Sequence, residues 1–442
     1  MTEKNRKKEG EPISILYDLA YAVGGSGIPG DTRDVALMLQ SSPERRVSFL
    51  LSPRTLKSKG RGNVWASDVI GSAIRRNRGV TLLPGFLEKI ITGVKSLRLS
   101  FGSGISQVAE PLASEILKYL KVLSQTPSSE VPSLYVTSLS IPERYARPLK
   151  FKAFKLKTKG FRFLIQQHID PIRVSKDTIH IVRLHDILPI RAPQYFDEIA
   201  SFVFGRGLHS LLHSRKVVWV MDTNAEAEGF HQYFPEQQKP KVIPCSVGHQ
   251  FPNIENKMIS ARKKQIVCFG TLEPRKRVSI VVNGFLRSIE TNPLLSEYKL
   301  FVVGKHGWQE QALHQQLLDA DFGGSVKYLE NCSDSELSEL LSESQFVASA
   351  SAAEGFGLPP LEGMLHGCIP IVSDIPAHRE TMGTRGVFFD STVDGFSEVF
   401  ENAAAEYVDN DGHHLSDLAE YVRSRYSTEV IEAQWSQFLE GF

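Results

Sequence analysis

Short apolar runs recur along this chain. Each is bounded by Gly, Pro or polar residues, and several are followed by stretches of helical spacing. In the first half, ISILYDLA (13–20), RVSFLLS (46–52), IHIVRLHD (179–186), VVWVM (217–221) and KVIPC (241–245) predict strands. Their near-continuous apolarity suits strands covered on both faces, as in parallel sheets. A helix is expected from Asp31, and another over 224–234. The second half repeats the pattern more clearly. Strands are expected at QIVCFG (265–270), KLFVVG (299–304), QFVASAS (345–351), IPIVSD (369–374) and GVFFD (386–390). Helices are expected over 277–290 and 333–344, the latter with Asp334 in its first turn, where the dipole favours an acid. A Pro-started helix falls between 351 and 369. Repeated βα units of this kind predict an α/β protein of two Rossmann-like parallel-sheet domains facing a central cleft. In open α/β sheets, ligands bind at the carboxyl ends of the strands.

The expected divisions follow from this pattern. Residues 1–12 form a tail, and 13–248 a first domain with an insertion around 53–175. A polar linker spans 249–264, and a second domain covers 265–425. Residues 426–442 form a final helix packing back on the first domain. A length of 442 residues with 41% hydrophobic and 23% charged residues excludes wholesale disorder. A net charge of +1 excludes a global field for polyanions, so no nucleic-acid partner is expected. The four cysteines form no CxxC pair, which leaves no zinc ribbon or thioredoxin-type motif. MTEKNRKKEGEP has no apolar core behind its charges, so it does not read as a secretory signal. No apolar run is long enough to span a bilayer. The expectation is a cytoplasmic protein able to act at the inner face of a membrane.

Four strings carry chemistry. The first is SAAEGFGLPPLEGMLHG (351–367). Leu358 and Pro359 each precede a proline, which pushes them from the helical region, and Pro360 is suited to open a helix. That places Glu354 on the loop before the helix and Glu362 in its first turn. The N–H groups of Phe356, Gly357 and Leu358 then form an anion-favouring end. The second is GTLEPRKR (270–277), after a strand. Arg275 and Lys276 at a helix start oppose the dipole, which predicts a bound anion such as a diphosphate. The third is GGSGIPG (24–30), in which Gly25, Gly27 and Gly30 match GxGxxG. No carboxylate follows at the end of the second strand, so a nicotinamide site is rejected. A mobile loop of Gly25, Ser26 and Gly27 touching phosphate or sugar fits better. The fourth is RLHDILPIRAPQYF (183–196), with His185 and Asp186 at a strand's carboxyl end. His185 is equally a structural histidine or one that positions a sugar hydroxyl or acceptor.

With these strings in hand, the chain resembles retaining glycosyltransferases of the GT-B fold, family GT4. The resemblance rests on Glu354 and Glu362 with seven residues between them, the turn from Glu273 to Lys276, KLFVVGKHGW, and the HDxxP of His185 to Pro189. It is closest to bacterial mannosyl- and rhamnosyltransferases of surface polysaccharide assembly, and strongest over 265–390. It implies a nucleotide diphosphate sugar as donor, GDP-mannose or a dTDP- or UDP-hexose, and a glycan or lipid-linked acceptor. Arg275 and Lys276 would hold the donor diphosphate, Glu354 the donor sugar and Glu362 the ribose. Gly25 to Gly27 would close over the donor, and His185 would line the reacting centre. His185, Glu354 and Lys276 are thus the expected catalytic residues. Many relatives carry an Arg where Thr271 stands, and PCSVG replaces the usual Gly after the strand at Lys241.

No DxD cluster appears, so neither a metal nor another cofactor is expected. GxSxG, HExxH and P-loop strings are also absent. A sugar-nucleotide epimerase or phosphorylase on the same scaffold, or a non-catalytic partner subunit, are the competing expectations. Residues 144–162 are locally basic with interleaved Phe, from Arg144 to Arg162. They read as a contact with an anionic membrane surface or lipid diphosphate, with RNA as a weaker rival, or as an edge strand with a solvated basic face.

Overall fold

In a computed structural model the chain is described over residues 12–19, 28–51, 64–65, 98–99, 106–107, 113–114, 117, 132–136, 154–214, 217–248, 251, 254, 262–319, 324–409 and 415–442. Two sheets dominate. The first has eight strands, in the order 241–242, 217–221, 179–183, 163–166, 13–18, 45–51, 134–136 and 106–107. All neighbours pair in parallel except Ser106–Gln107, which runs antiparallel to Leu134–Val136. The second has six strands, all parallel, in the order 326–329, 299–303, 263–269, 344–349, 369–373 and 387–389.

Burial explains which runs became strands. Ser344–Ser349 is buried at every position, as expected of a central strand covered by helices on both faces. The strand Phe163–Gln166 is likewise buried throughout and pairs with both Ile13–Asp18 and Ile179–Arg183. It lies inside the stretch expected to be an insertion, so that expectation is corrected: residues 163–166 are central to the first sheet. Four residues flanked by a basic run give too short an apolar signal to register. KVIPC contributes only Lys241–Val242 as strand, and the linker ends early because Lys263–Phe269 is already sheet.

The final helix, Thr428–Glu440, returns to the first domain. Ile431, Trp435 and Leu439 join the core formed by Ile15, Tyr17, Phe49 and Phe163, and Trp435 is fully buried. Arg45 Nη2 donates to Ser436 Oγ at 2.5 Å beside this seam. At the carboxyl end of the second sheet, two glycines meet back to back. Gly270 and Gly304 have φ of 131° and 148°, and a Cβ on Gly304 would lie 1.9 Å from the Gly270 carbonyl oxygen. Only glycine fits there.

Candidate active site

After Gly270 the chain enters a single 3-10 turn, Pro274–Lys276, and then the helix Val278–Thr291. Arg277, between them, is left-handed at φ 46°. A non-glycine residue is strained there. The strain separates three consecutive cations. Arg277 turns away to donate from Nη2 to Tyr195 Oη at 2.7 Å, while Arg275 and Lys276 face the segment after Ser344–Ser349.

That segment carries Glu354. Arg275 Nη1 donates to Glu354 Oε2 at 2.6 Å and to the Ala353 carbonyl at 3.2 Å. Lys276 Nζ pairs with Glu354 Oε1, to which Ser351 Oγ also donates at 2.7 Å. Arg275 Nη2 pairs with Glu273 Oε1 at 2.7 Å. Burial alone would raise the Glu354 carboxyl, but Arg275 and then Lys276 outweigh it and hold the acid well below the usual carboxylate range. The two cations were expected to await an anion. They already meet Glu354 and Glu273, because the turn lies within side-chain reach of the Glu354 loop.

The helix with the prolines runs Leu358–Leu365, capped by Gly357 at φ 88°. It starts two residues before Pro360. In the first turn there is no preceding turn for a proline ring to strike, so Leu358 and Pro359 are tolerated as helix. Glu362 is therefore its fifth residue, in the second turn rather than the first, and is buried. The ring of Phe356 packs edge-on to Tyr426 at 5.3 Å in the second core, so only its backbone is placed to meet a ligand. Leu358 also packs against that core.

The two domains meet at Gly355. A Cβ there would lie 2.6 Å from the His185 carbonyl oxygen and 3.1 Å from Asp186 Cβ, and Thr223 Oγ1 donates to the Gly355 carbonyl at 3.0 Å. His185 and Asp186 follow Ile179–Arg183, so the carboxyl ends of both sheets converge where expected. His185, Glu354, Arg275 and Lys276 are thus brought together. Gly25, Ser26 and Gly27 lie outside the described residues.

No motif in the sequence points to what surrounds His185. Its Nδ1 lies 2.7 Å from Asp222 Oδ2, and its Nε2 3.0 Å from Gln167 Oε1. Arg183, fully buried, bridges Asp222 at 2.9 Å and Asp31 at 3.1 Å. Burial lowers the His185 imidazole and Asp222 raises it, with a net upward shift. Asp222 is raised by burial and lowered more strongly by His185 and Arg183. Beside this lies a second network: His168 stands between Asp18 and Asp170, at 2.9 Å from each. Asp31, His185 and Cys245 could offer ligands to a metal. However, Arg183 already sits 3.1 Å from Asp31 and 3.4 Å from Cys245 Sγ, and burial pushes the thiol well up. This donor set therefore fits a guanidinium better than a second cation.

Of the basic stretch 144–162, residues 144–153 lie outside the described residues. Over 155–159 Lys155, Lys157 and Lys159 are exposed while Leu156 and Thr158 are buried. Phe163 is core, and Phe161 packs edge-on to Tyr135 at 5.7 Å. These two phenylalanines therefore point inward, so among the described side chains Lys155, Lys157 and Lys159 form a basic face without an aromatic anchor. No described helix is long and apolar enough to cross a membrane.

The model of the family described as "Glycosyl transferases group 1" matches residues 250–425. The serotype-specific mannosyltransferase WbdA of Escherichia coli is 26% identical over 368 residues, covering 74% of this chain and 44% of WbdA. The chain thus spans less than half the length of that relative. Among solved structures, Anabaena HepE in complex with UDP and glucose aligns with a TM-score of 0.56 at 15% identity, over 97% of this chain and 100% of HepE. Sucrose-phosphate synthase from Thermosynechococcus elongatus gives 0.58 at 12%, over 97% and 98%. At such identities the likeness shows the fold, which is GT-B.

Proposed function

We propose that this chain, whose residues 250–425 form a glycosyl transferases group 1 domain, is a retaining glycosyltransferase. It moves a hexosyl group, mannosyl by the likeness to WbdA, from a nucleotide diphosphate sugar to a hydroxyl of a glycan or lipid-linked acceptor in surface polysaccharide assembly. One observation carries the reading: Arg275 and Lys276 pair with Glu354, and Gly355 next to it meets the His185 carbonyl and Asp186 across the cleft.

The chemistry follows from these groups. A donor diphosphate takes up Arg275 and Lys276, whose charges stabilise it as it leaves. The N–H groups at Gly357 and Leu358 add the positive end of a helix. Glu354, kept ionised by its partners, accepts hydrogen bonds from hydroxyls of the transferring sugar. Glu362, in the second turn, is assigned the ribose by family resemblance. Both ring nitrogens of His185 are engaged by Asp222 and Gln167, so neither is free to take the acceptor's proton. The departing phosphate takes it instead, on the face where the bond breaks, which gives retention. No metal or other cofactor has a part in this scheme, and EDTA should leave transfer unchanged. Lys150, Lys152, Lys155, Lys157 and Lys159 are the residues through which an anionic membrane would be met.

The test is a thermal-shift series with GDP-, UDP-, dTDP- and ADP-sugars. A donor at 100 times its Kd stabilises by about 2.7 kcal/mol. A shift with none of the four would contradict the reading. A shift without sugar transfer to any glycan would favour a partner subunit.

A further inference from the structure

We infer that Tyr17 and Gln167 hold His185 as an imidazolium, so that it serves the site as a fixed cation and not as a proton acceptor. The protonation state stands on its own geometry, whereas its part in transfer rests on the transferase reading above.

The inference follows the direction of each hydrogen bond along a buried chain. The Thr32 carbonyl can only accept, and it lies 3.0 Å from Tyr17 Oη. Tyr17 has one proton and must spend it there. Its oxygen therefore accepts from Gln167 Nε2, at 2.6 Å. That turns the other end of the amide, Oε1, toward His185 Nε2 at 3.0 Å. An amide oxygen has no proton, so Nε2 must carry one. On the other side of the ring, Asp222 is a carboxylate whose acid is held below its usual range, and it receives Nδ1–H at 2.7 Å. Both ring nitrogens are donors only in the cation.

Charge balance points the same way. The groups facing His185 are Asp222, Asp31, Arg183, Asp186 and the Cys245 thiol. Burial keeps Cys245 and Tyr17 protonated. Asp31 and Asp222 bring two negative charges, and Arg183 brings one positive charge. Burial raises the Asp31 carboxyl, and Arg183 and then His185 offset this only in part, so its net direction is upward. With both of these carboxylates ionised and His185 charged, Asp31, Asp222, Arg183 and His185 sum to neutral, while Asp186 is raised by burial and drawn down chiefly by Arg275. With His185 neutral, one carboxylate is left uncompensated in the interior, which is costly. Gln167 and Tyr17 are positioning residues in this scheme, since they act through His185.

The experiment uses the full chain labelled with 13Cε1-histidine, with the His185 signal assigned by its loss in His185→Gln. His185 should keep the imidazolium shift well past the ordinary histidine midpoint. A neutral shift at pH 7.5 would overturn the inference without any variant having to fold. Tyr17→Phe frees the amide to rotate and should lower the His185 midpoint by about one unit, tenfold in proton affinity. Gln167→Met serves the same purpose should Tyr17→Phe not fold. An unchanged midpoint in the variant overturns the relay. For the role in transfer, wild-type kcat should be flat between about pH 6 and 8, and the variant should gain a limb at its NMR midpoint. Flat profiles in both overturn the role. Absence of transfer with every donor overturns the transferase reading and leaves the NMR result standing.

Discussion

Glu380 caps a helix of the opposite domain: its carboxylate accepts from the Asn224 backbone N–H at 2.6 Å and from Asn224 Nδ2 at 2.8 Å. The Ala225 N–H is held at 2.8 Å by its other oxygen. Asn224–Tyr233 belongs to the first domain and Glu380, in Pro376–Met382, to the second. An acid at a helix N-terminus is favoured by the dipole and by the unpaired N–H groups. Within the first domain Thr223 Oγ1 caps the Glu226 N–H, while the Asn224 and Ala225 N–H groups are met by Glu380 from the second domain.

Glu380→Ala is therefore expected to loosen the domain contact while leaving each domain folded. Loss of such a cap should cost about 1–2 kcal/mol. Small-angle scattering should show a larger radius of gyration, and circular dichroism an unchanged helix signal. An unaltered radius would assign the contact no weight in holding the domains.

Lys276→Ala should weaken donor use by about 2–4 kcal/mol in kcat/KM, because a charge-assisted contact to the leaving diphosphate is lost. Steady-state kinetics at saturating acceptor measures it. Near-normal kcat/KM would remove Lys276 from the donor site.

Glu354→Gln separates two roles of the carboxylate. Glu354 competes with any bound diphosphate for Arg275 and Lys276, since it already pairs with both. Removing its charge should tighten the binding of free nucleoside diphosphate by several-fold or more, since like charges repel more strongly at a buried site than in water. It should also cut kcat, because the sugar loses its acceptor. Calorimetry of the diphosphate alone decides the first part. Weaker binding would mean that Glu354 builds the phosphate site by holding the cations in place. Glu362→Gln should instead raise the donor KM with kcat little changed, as expected of a ribose contact alike in ground and transition states.

His168 provides a pH test of stability. Burial lowers its pKa, but Asp170 and Asp18 on either side raise it further, to about 9 from 6.5. A histidine whose folded pKa exceeds its unfolded one stabilises fully below the unfolded value. That stabilisation is lost as pH rises through the folded value. Between about pH 6.5 and 9 the chain should therefore lose about 3 kcal/mol of stability. Urea unfolding at pH 6.5 and 9 measures this, and His168→Gln should flatten the slope. An equal slope in both proteins would assign the loss to other groups.

What was legible in the sequence was whatever declares itself locally. Continuous apolar runs such as KLFVVG marked sheet, because a strand covered on both faces must be apolar throughout. Glu354, Arg275 and Lys276 were legible because Gly and Pro fix the turns around them. Their pairing with one another was not, since it depends on two loops from different strands. Tyr17, Gln167, His168 and Asp222 were invisible for the same reason. Each is an ordinary polar residue near the end of a strand, and only the order of the strands places 13–18 beside 163–166 and 179–183. Helix starts were misplaced by a residue or more around Pro360 and Asp31, where backbone preferences are weak beside packing.

The central claim is retaining transfer from a nucleotide diphosphate sugar, and it is tested most directly by the anomeric configuration of the product. The chain should be incubated with an α-linked donor such as GDP-mannose and a panel of glycan acceptors, and the new linkage read by NMR. An α-linked product released together with one nucleoside diphosphate per bond is the predicted result. A β-linked product, or no new linkage while Glu354, Arg275 and Lys276 remain intact, would contradict it.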